Sequence, residues 1–285
     1  MEALIDGDII VYSVGFASDQ RVYLVKGRAF KYKVDATAYC EDKGIELSEI
    51  EKVVTPEPIE YTLHSVKQLL NRVLKETAAD KFQIYLTGEG NFREEAATIL
   101  PYKGNRDPSH KPTHYKEIKE YLIDVWDAKV IEGMEADDAM GIRQMERGGD
   151  TVICSIDKDM DMIPGLHYNW RNNSKYTVDE KSALRTFYKQ LLTGDAVDNI
   201  RGVPGIGKVR AERMLEGLTT EAEMYEAVFA AYRRANDTDE EATDELNENA
   251  RLLWIWRKER DEWKAPTELL PASLTEPNEI TFAVD

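Results

Sequence analysis

Acidic side chains recur along this chain at positions where they can act together. Asp6, Glu89, Glu135, Asp137, Asp138, Asp157 and Asp159 each come soon after an apolar run, and Asp195 and Asp198 stand close together just before a glycine-rich turn. Such carboxylates can bind hard cations, but they cannot be crowded together without cost. A like-charge pair ~4 Å apart costs roughly 4 kcal/mol at an effective dielectric of about 20. A convergent set must therefore raise its pKa values or take up divalent cations. Oxygen-only donors favour Mg²⁺ or Mn²⁺ over zinc, and His64, His110, His114 and His167 show no ligand spacing. Two ions about 4 Å apart, shared among these acids, form the arrangement that activates a water and stabilises the leaving oxygen in phosphodiester hydrolysis.

Convergence depends on the elements that carry the acids. Ala3 to Ile5 is apolar, breaks at Asp6-Gly7-Asp8 and resumes at Ile9 to Val14, which predicts a buried strand turning at its acidic end. Lys81 to Leu86 predicts a strand that stops at Thr87-Gly88-Glu89, and Lys129 to Ile131 a short strand. Glu135-Ala136-Asp137-Asp138 opens a helix running to Gly148-Gly149, and Thr151 to Ile156 is a strand, apolar but for Ser155, that ends in Asp157-Lys158-Asp159. One acid in a first helical turn merely offsets the helix dipole; the cluster here exceeds that need. Helical periods over Tyr61 to Leu74 and Ile118 to Val125 complete an alternation of strands and helices. The expected class is α/β, with a mostly parallel sheet flanked by helices. Ligands of such sheets bind beyond the carboxyl ends of the strands. The strands before Asp6, Glu89, Glu135 and Asp157 all lead to acids on that side.

With 285 residues, 42% of them hydrophobic, the chain can bury a large domain and a smaller one. It shows no apolar run of membrane-spanning length, and MEALIDGD lacks the pattern of a signal peptide. A soluble, cytoplasmic protein is expected. Cys40 and Cys154 make no disulfide framework. The net charge of −17 argues against nucleic acid until its distribution is read. Acids concentrate between Ala235 and Asn249 (Asp237, Asp239, Glu240, Glu241, Asp244, Glu245, Glu248), a segment expected to be solvated. Bases gather elsewhere: Arg21, Lys26, Arg28, Lys31 and Lys33 on a predicted hairpin that also carries Tyr23, Phe30 and Tyr32; Lys103, Arg106, Lys111, Lys116 and Lys119; and Arg201, Lys208, Arg210 and Arg213. The hairpin suits either nucleic acid or solvent.

Two other motifs compete for these residues. Asp157-Lys158-Asp159-Met160-Asp161 begins like a calcium-binding loop, but Met162 stands where glycine is required and Tyr168 where the last acid is required. Gly202-Val203-Pro204-Gly205-Ile206-Gly207-Lys208 fits a nucleotide-binding phosphate loop until Val209 replaces the Ser or Thr that would hold Mg²⁺. An amide cradle for a DNA phosphate, formed by Gly202, Gly205 and Gly207 with Lys208 and Arg210 beside it, needs no such hydroxyl.

Taken together, Leu4-Ile5-Asp6-Gly7-Asp8, Tyr102-Lys103-Gly104-Asn105-Arg106, Glu135-Ala136-Asp137-Asp138, Asp157-Lys158-Asp159 and the run from Gly194 through Asp195 and Asp198 to Gly207 resemble the flap endonuclease and 5′→3′ exonuclease family. The similarity is to bacteriophage 5′-exonucleases and to the 5′-nuclease domain of bacterial DNA polymerase I. It implies a PIN-like nuclease fold over about residues 1–180, with a hairpin insertion at about 20–58 and an arch at about 100–120. It also implies a helical region over about 181–264 containing a helix-three-turn-helix at 193–215 that grips duplex DNA, with K⁺ in its turn, and an extended tail at 265–285. By the same resemblance, Asp6, Glu135, Asp137 and Asp138 serve a first Mg²⁺ or Mn²⁺ ion, and Asp157, Asp159, Asp195 and Asp198 a second. Glu89 stands where the family has Asp and ranks below them. Lys103 and Arg106, which on residues alone read as surface bases, are implied to contact the scissile phosphodiester, with Tyr102 among the DNA-binding residues. The implied activity is divalent-metal-dependent hydrolysis of DNA at or near a 5′ end or flap, or of RNA in an RNA-DNA hybrid, by a monomer serving phage DNA replication or recombination in the bacterial host cytoplasm. The alternative is a DNA-binding protein of the same fold that hydrolyses poorly.

Overall fold

The computed structural model describes residues 1–107 and 109–266, so most of the tail expected at 265–285 lies outside the described residues. The chain opens with strand β1 (Glu2–Asp6), which passes directly into helix α1 (Gly7–Ser18). The expectation of one strand turning and continuing is thus corrected: Ile9 to Val14 is helical. Asp6 supplies the reason, since its side chain accepts from Ile9 N at 2.9 Å and caps the helix. Gly7 lets the helix leave the sheet at that point, because a Cβ there would sit 2.6 Å from the Tyr85 carbonyl oxygen.

Between α1 and the next sheet strand lies an insertion: β2 (Asp19–Val25), β3 (Arg28–Phe30), helix α2 (Lys33–Lys43) and β4 (Ile50–Pro56), forming an antiparallel sheet ordered β3-β2-β4. Lys26 (φ 47°) and Gly27 (φ 83°) make the two-residue turn that joins Val25 to Arg28. Its small core is Val25, Ala36 and Cys40, with Tyr23, Phe30, Tyr39, Ile45 and Ile50 packed around them. Its feet rest on the segment before α5, where Thr113 N donates to Asp19 Oδ2 at 3.2 Å and the His114 ring lies 2.7 Å from the Glu57 carbonyl oxygen.

Helix α3 (Ile59–Thr77) returns to the main sheet and buries Val66, Leu70 and Val73 along one face. It leads into β5 (Lys81–Thr87), the short helix α4 (Phe92–Ala96), α5 (Tyr115–Trp126), β6 (Lys129–Ile131), α6 (Ala136–Arg147) and β7 (Thr151–Cys154). A ribbon of β8 (Gly165–Asn169) and β9 (Ser174–Val178) completes the sheet. The strand order is β6-β5-β1-β7-β8-β9, parallel except for β9. The α/β expectation holds. The chain runs from β1 outward through β5 to β6 and then crosses to β7 on the other side of β1, so the carboxyl end of β1, where Asp6 sits, borders the topological switch point.

The remainder is helical: α7 (Glu180–Thr193), a short ribbon of β10 (Gly194–Asp195) with β11 (Ile200–Arg201), α8 (Lys208–Leu215), α9 (Glu221–Ala235) and α10 (Asp239–Leu253). Two expectations change here. The acidic segment is the outer face of α10, whose other face buries Ala242, Leu246, Ala250 and Leu253; Glu248 on it accepts from the backbone N–H groups of Thr98 and Ile99 at 2.9 and 2.8 Å. The apolar residues Leu252, Leu253, Ile255 and Trp256 predict a helix over Ala250 to Trp263, but the helix there ends at Leu253. One continuous apolar core runs from Leu4 and Ile153 beneath the sheet through Phe187 and Leu191 to Leu246 and Trp254.

A buried ion pair fastens these parts. Arg93 of α4 meets both oxygens of Asp138 at 2.6 and 2.9 Å and donates to the carbonyls of Leu252 and Trp254, each at 2.8 Å. Asp138 also accepts from Glu135 N at 3.0 Å and Trp256 N at 3.0 Å. Burial alone pulls the guanidinium pKa down, and the charge and hydrogen bonds of Asp138 more than reverse this. With the two side chains only 3% and 0% exposed, removing one partner strands a buried charge, at a cost of about 3–5 kcal/mol. Arg93→Ala is expected to lower the unfolding free energy measured by urea denaturation by that amount; a loss below about 1 kcal/mol would show the pair to be dispensable.

Candidate metal centre and flanking basic residues

All the acids read from sequence at strand ends stand at one end of the sheet, as parallel strands require. Asp6 is almost fully buried; it accepts from Ser155 Oγ at 2.7 Å. Ser155, the one polar break in its apolar strand, also receives Asp157 N at 3.0 Å. Asp157 in turn accepts from Asp159 N at 3.0 Å, which opens a tight turn of 3-10 helix over Asp159–Met162. Glu135 is the N-cap of α6, and Asp137 lies in that helix's first turn.

Asp195 and Asp198 arrive from the other side, on the hairpin of β10 and β11 and not on a helix as the sequence suggested. Asp195 Oδ1 accepts from Val197 N at 2.7 Å, which closes the turn. Gln190 bridges the two groups of acids, its amide nitrogen standing 3.2 Å from Asp159 Oδ1 and 3.3 Å from Asp195 Oδ2. Sequence reasoning had no signal for Gln190.

The electrostatics show how closely the carboxylates are set. Burial, then Asp6, Asp157 and Glu135, hold Asp137 well above the usual carboxylate range. Asp159 is pushed up to about 7, first by burial and then by Asp157 and Asp195. Asp6 and Asp157 are raised by burial first, with neighbouring acids adding to it. Even so, no three His, Cys, Asp or Glu side chains among the described residues close on a single ion-sized point. The two facts are compatible: the acids are near enough to repel, and several are turned toward protein donors. Oxygen-only donors held in forced proximity are the chemistry that a hard divalent cation satisfies, and in that respect the residues fit Mg²⁺ or Mn²⁺.

The protein donors are the basic residues. Lys103 pairs with Glu135 and lies 3.8 Å from Asp198, and Arg106 pairs with Asp198. Tyr102, assigned from the resemblance to DNA contact, donates its hydroxyl to Asp198 at 2.8 Å and lies 3.3 Å from both oxygens of Glu135; burial first, then these acids, raise its phenol. The Tyr102 to Arg106 loop is docked on the β10–β11 hairpin: Lys103 N donates to the Asp198 carbonyl at 2.9 Å and Asn105 to that of Ala196 at 2.7 Å. Lys103 has a left-handed backbone (φ 54°), a conformation costing a non-glycine residue roughly 1 kcal/mol.

Three assignments change in this setting. Asp138 has both oxygens committed to Arg93 and to backbone amides, so it is a structural fastening and not an available ligand. Glu89 is exposed, and its backbone N–H is tied to Glu132 at 2.6 Å. Its place facing the site is taken by Asp8, which accepts from Thr87 N at 2.9 Å, is raised by burial, and is close enough to Glu135 to feel its charge. The sequence had left Asp8 as an extra acid, although its position two residues after Asp6 was the available signal.

Beyond the acids, Gly202 proves to be a packing residue. A Cβ on it would lie 2.2 Å from the Thr193 carbonyl carbon, and one on Gly194 the same distance from Gly202 N. Gly205 (φ 75°) and Gly207, the N-cap of α8, have open space around them. Lys208 and Arg210 extend from the first turn of α8 on the exposed side.

No protein-family model matches the chain. It is 31% identical over 216 residues, 70% of its length, to the thermostable DNA polymerase I of Thermus aquaticus, of which it covers 24%. It is 37% identical over 97 residues, 30% of its length, to DNA polymerase I of Rhizobium leguminosarum, of which it covers 10%. The chain thus spans about a quarter or less of the length of these relatives. Among solved structures it resembles the flap endonuclease of bacteriophage T5 in a pseudo-enzyme-product complex with DNA and metal ions, with TM-score 0.53, 18% identity and coverage of 86% of this chain and 87% of that one. The T5 5′-exonuclease with bound zinc gives TM-score 0.53 and 18% identity over 87% of this chain and 89% of that one. In fold, the chain resembles these T5 5′-exonuclease and flap endonuclease structures.

Proposed function

We propose that the chain is a divalent-metal-dependent 5′→3′ exonuclease and structure-specific flap endonuclease acting on DNA. One observation carries the reading: buried, mutually repelling carboxylates at the switch point of a parallel sheet lie directly against Lys103 and Arg106. Asp6, Glu135, Asp137, Asp157, Asp159, Asp195 and Asp198 would hold two Mg²⁺ or Mn²⁺ ions, with Asp8 beside them. When bound, such ions supply an activated water and stabilise the leaving oxygen.

The chain's own residues prepare that chemistry. Ser155 and the backbone N–H groups of Ile9 and Asp159 fix the orientations of Asp6 and Asp157. Lys103 and Arg106, paired with Glu135 and Asp198 here, are placed to exchange those partners for the phosphodiester and to counter the charge that would develop on it. Tyr102 orients Asp198 and Glu135 from the same loop. Gly205, Gly207, Lys208 and Arg210 grip the duplex backbone by amides and charge, which sets position without reading sequence. The same proposal extends to K⁺ in the turn before α8, to RNA in RNA-DNA hybrids, and to a monomer at work in phage DNA replication or recombination in the host cytoplasm. Among the described residues no helix is long and apolar enough to cross a membrane.

Asp157→Asn with Asp159→Asn is expected to abolish cleavage of a 5′-labelled duplex while duplex binding in chelator persists; undiminished cleavage would remove these two from the metal centre. Lys103→Ala should lower kcat by roughly 10²-fold or more, in the range of lost oxyanion donors, with a smaller change in KM. Equal losses in both would make it an anchor.

The raised carboxylates also give stability a pH dependence. Burial and the neighbouring acids push Asp159 up to about 7 in the fold, against 3.8 for a free side chain, so between those values the folded state holds more protons and loses stability as pH rises. Metal binds the ionised form and should offset that loss. In EDTA the wild type is expected to lose stability relative to Asp159→Asn on going from about pH 5 to about pH 7.5, and added Mg²⁺ should raise the wild-type Tm mainly at the higher pH. Equal Mg²⁺ effects at both values would contradict the linkage.

A further inference from the structure

We propose that the insertion of β2, β3, α2 and β4 is a second nucleic-acid surface, taking the single-stranded arm of a substrate whose phosphodiester lies at the carboxylates. The proposal rests on the function proposed above and concerns a part of the chain that function leaves unexplained.

Its charges are the first argument. In a chain of net charge −17, Arg21, Lys26, Arg28, Lys31 and Lys33 crowd into β2, the hairpin turn and the start of α2. Among the described residues, the ion pair within the insertion joins Lys43 to Asp42 and uses none of these five. The insertion's acids sit mostly elsewhere: Asp19 at the foot of β2, Glu41 and Asp42 late in α2, Glu46 and Glu49 after it, and Glu51 on β4, with Asp35 in the first turn of α2. Unneutralised cations held together repel one another, and a polyanion relieves that repulsion while releasing its own counterions.

The aromatic residues make the second argument. Cations and rings alternate: the Arg21 guanidinium lies 4.7 Å from the Phe16 ring, Arg28 5.2 Å from Phe30 and 4.7 Å from Tyr39, and Lys31 Nζ 5.5 Å from Tyr32. The His110 ring stands 5.1 Å from Phe16. Tyr32 is 56% exposed and Val34 71%, which a merely solvated hairpin does not require. Rings interleaved with cations suit a single strand, whose bases are free to stack, better than a duplex, whose bases are already stacked.

Position supplies the third argument. Helix α1 begins between Asp6 and Asp8 and delivers the chain to β2 after 12 residues, about 18 Å along its axis. The bonds of Asp19 to Thr113 and of Glu57 to His114 anchor the insertion's feet to the segment leading into α5. A strand leaving the carboxylates along α1 therefore meets Phe16, Arg21 and His110 before it reaches the hairpin.

The test measures binding in EDTA, where no hydrolysis occurs, of a labelled duplex with a 5′ single-stranded dT overhang and of the same duplex made blunt. The variants are Lys26→Ala/Lys31→Ala/Lys33→Ala and, separately, Tyr32→Ala, all at exposed positions. The triple variant should bind the overhang substrate roughly 10-fold more weakly at low salt, with a plot of log K against log salt that is shallower by about 2, as expected for three lost phosphate contacts on a single strand. Tyr32→Ala should weaken overhang binding about 5-fold or more at unchanged salt slope. Binding of the blunt duplex should change in neither. Overhang affinity and slope equal to wild type, or equal losses on both substrates, would overturn the proposal. If the wild type discriminates in this way but leaves the DNA intact when Mg²⁺ or Mn²⁺ is added, the surface stands and the cleavage reading fails.

Discussion

Carboxylates gathered at the end of one strand repel each other, and much of this structure consists of the means by which they are kept there. The chain divides them. Asp138 is removed to a fully buried pair with Arg93, which in the same contact ties α6 to α4 and to the carbonyls of Leu252 and Trp254. Glu135 and Asp198 are met by Lys103, Arg106 and Tyr102. Asp6 accepts from the Ser155 hydroxyl and the Ile9 N–H, and Asp157 accepts from the Asp159 N–H. Asp137 and Asp159 are left under the strongest pressure from burial and neighbouring acids, and a cation placed there relieves the most. Repulsion that would unfold a smaller domain is contained here by a core that continues from sheet to helices without a break.

The same pairing explains why two distant segments behave as one body. The Tyr102 to Arg106 loop and the β10–β11 hairpin are joined by side-chain charge and by backbone hydrogen bonds from Lys103 and Asn105. Helix α8 follows that hairpin after a short turn. Whatever α8 holds is therefore kept at a fixed distance from the acids, and the left-handed backbone of Lys103 is one cost of that arrangement.

The sheet and its acidic end were legible because strands there are uniform apolar runs whose ends are marked by charge, as at Thr151 to Asp157. The helices α3, α5 and α6 were legible from period. The continuation of β1 was misread because Ile9 to Val14 is apolar in either conformation, and only the capping bond from Asp6 decides it. The acidic segment was misread for a related reason: α10 alternates Asp and Glu with Ala242, Leu246 and Ala250, so charge hides a buried face. Motif resemblance picked out acids that the fold brings near one another, but it could not separate Asp138 from Asp137, since the difference lies in Arg93, which is distant in sequence. Nor could it exchange Glu89 for Asp8, which depends on the direction in which a side chain leaves the first turn of α1.

Gly194 and Gly202 face each other so closely that neither has room for a single carbon atom. These two positions form a steric lock that involves no charge, no ligand and no hydrophobic burial. Adding one methyl group at either would push apart the strands that carry Asp195 and Asp198, so a change hidden in the backbone would be felt as misplaced acids.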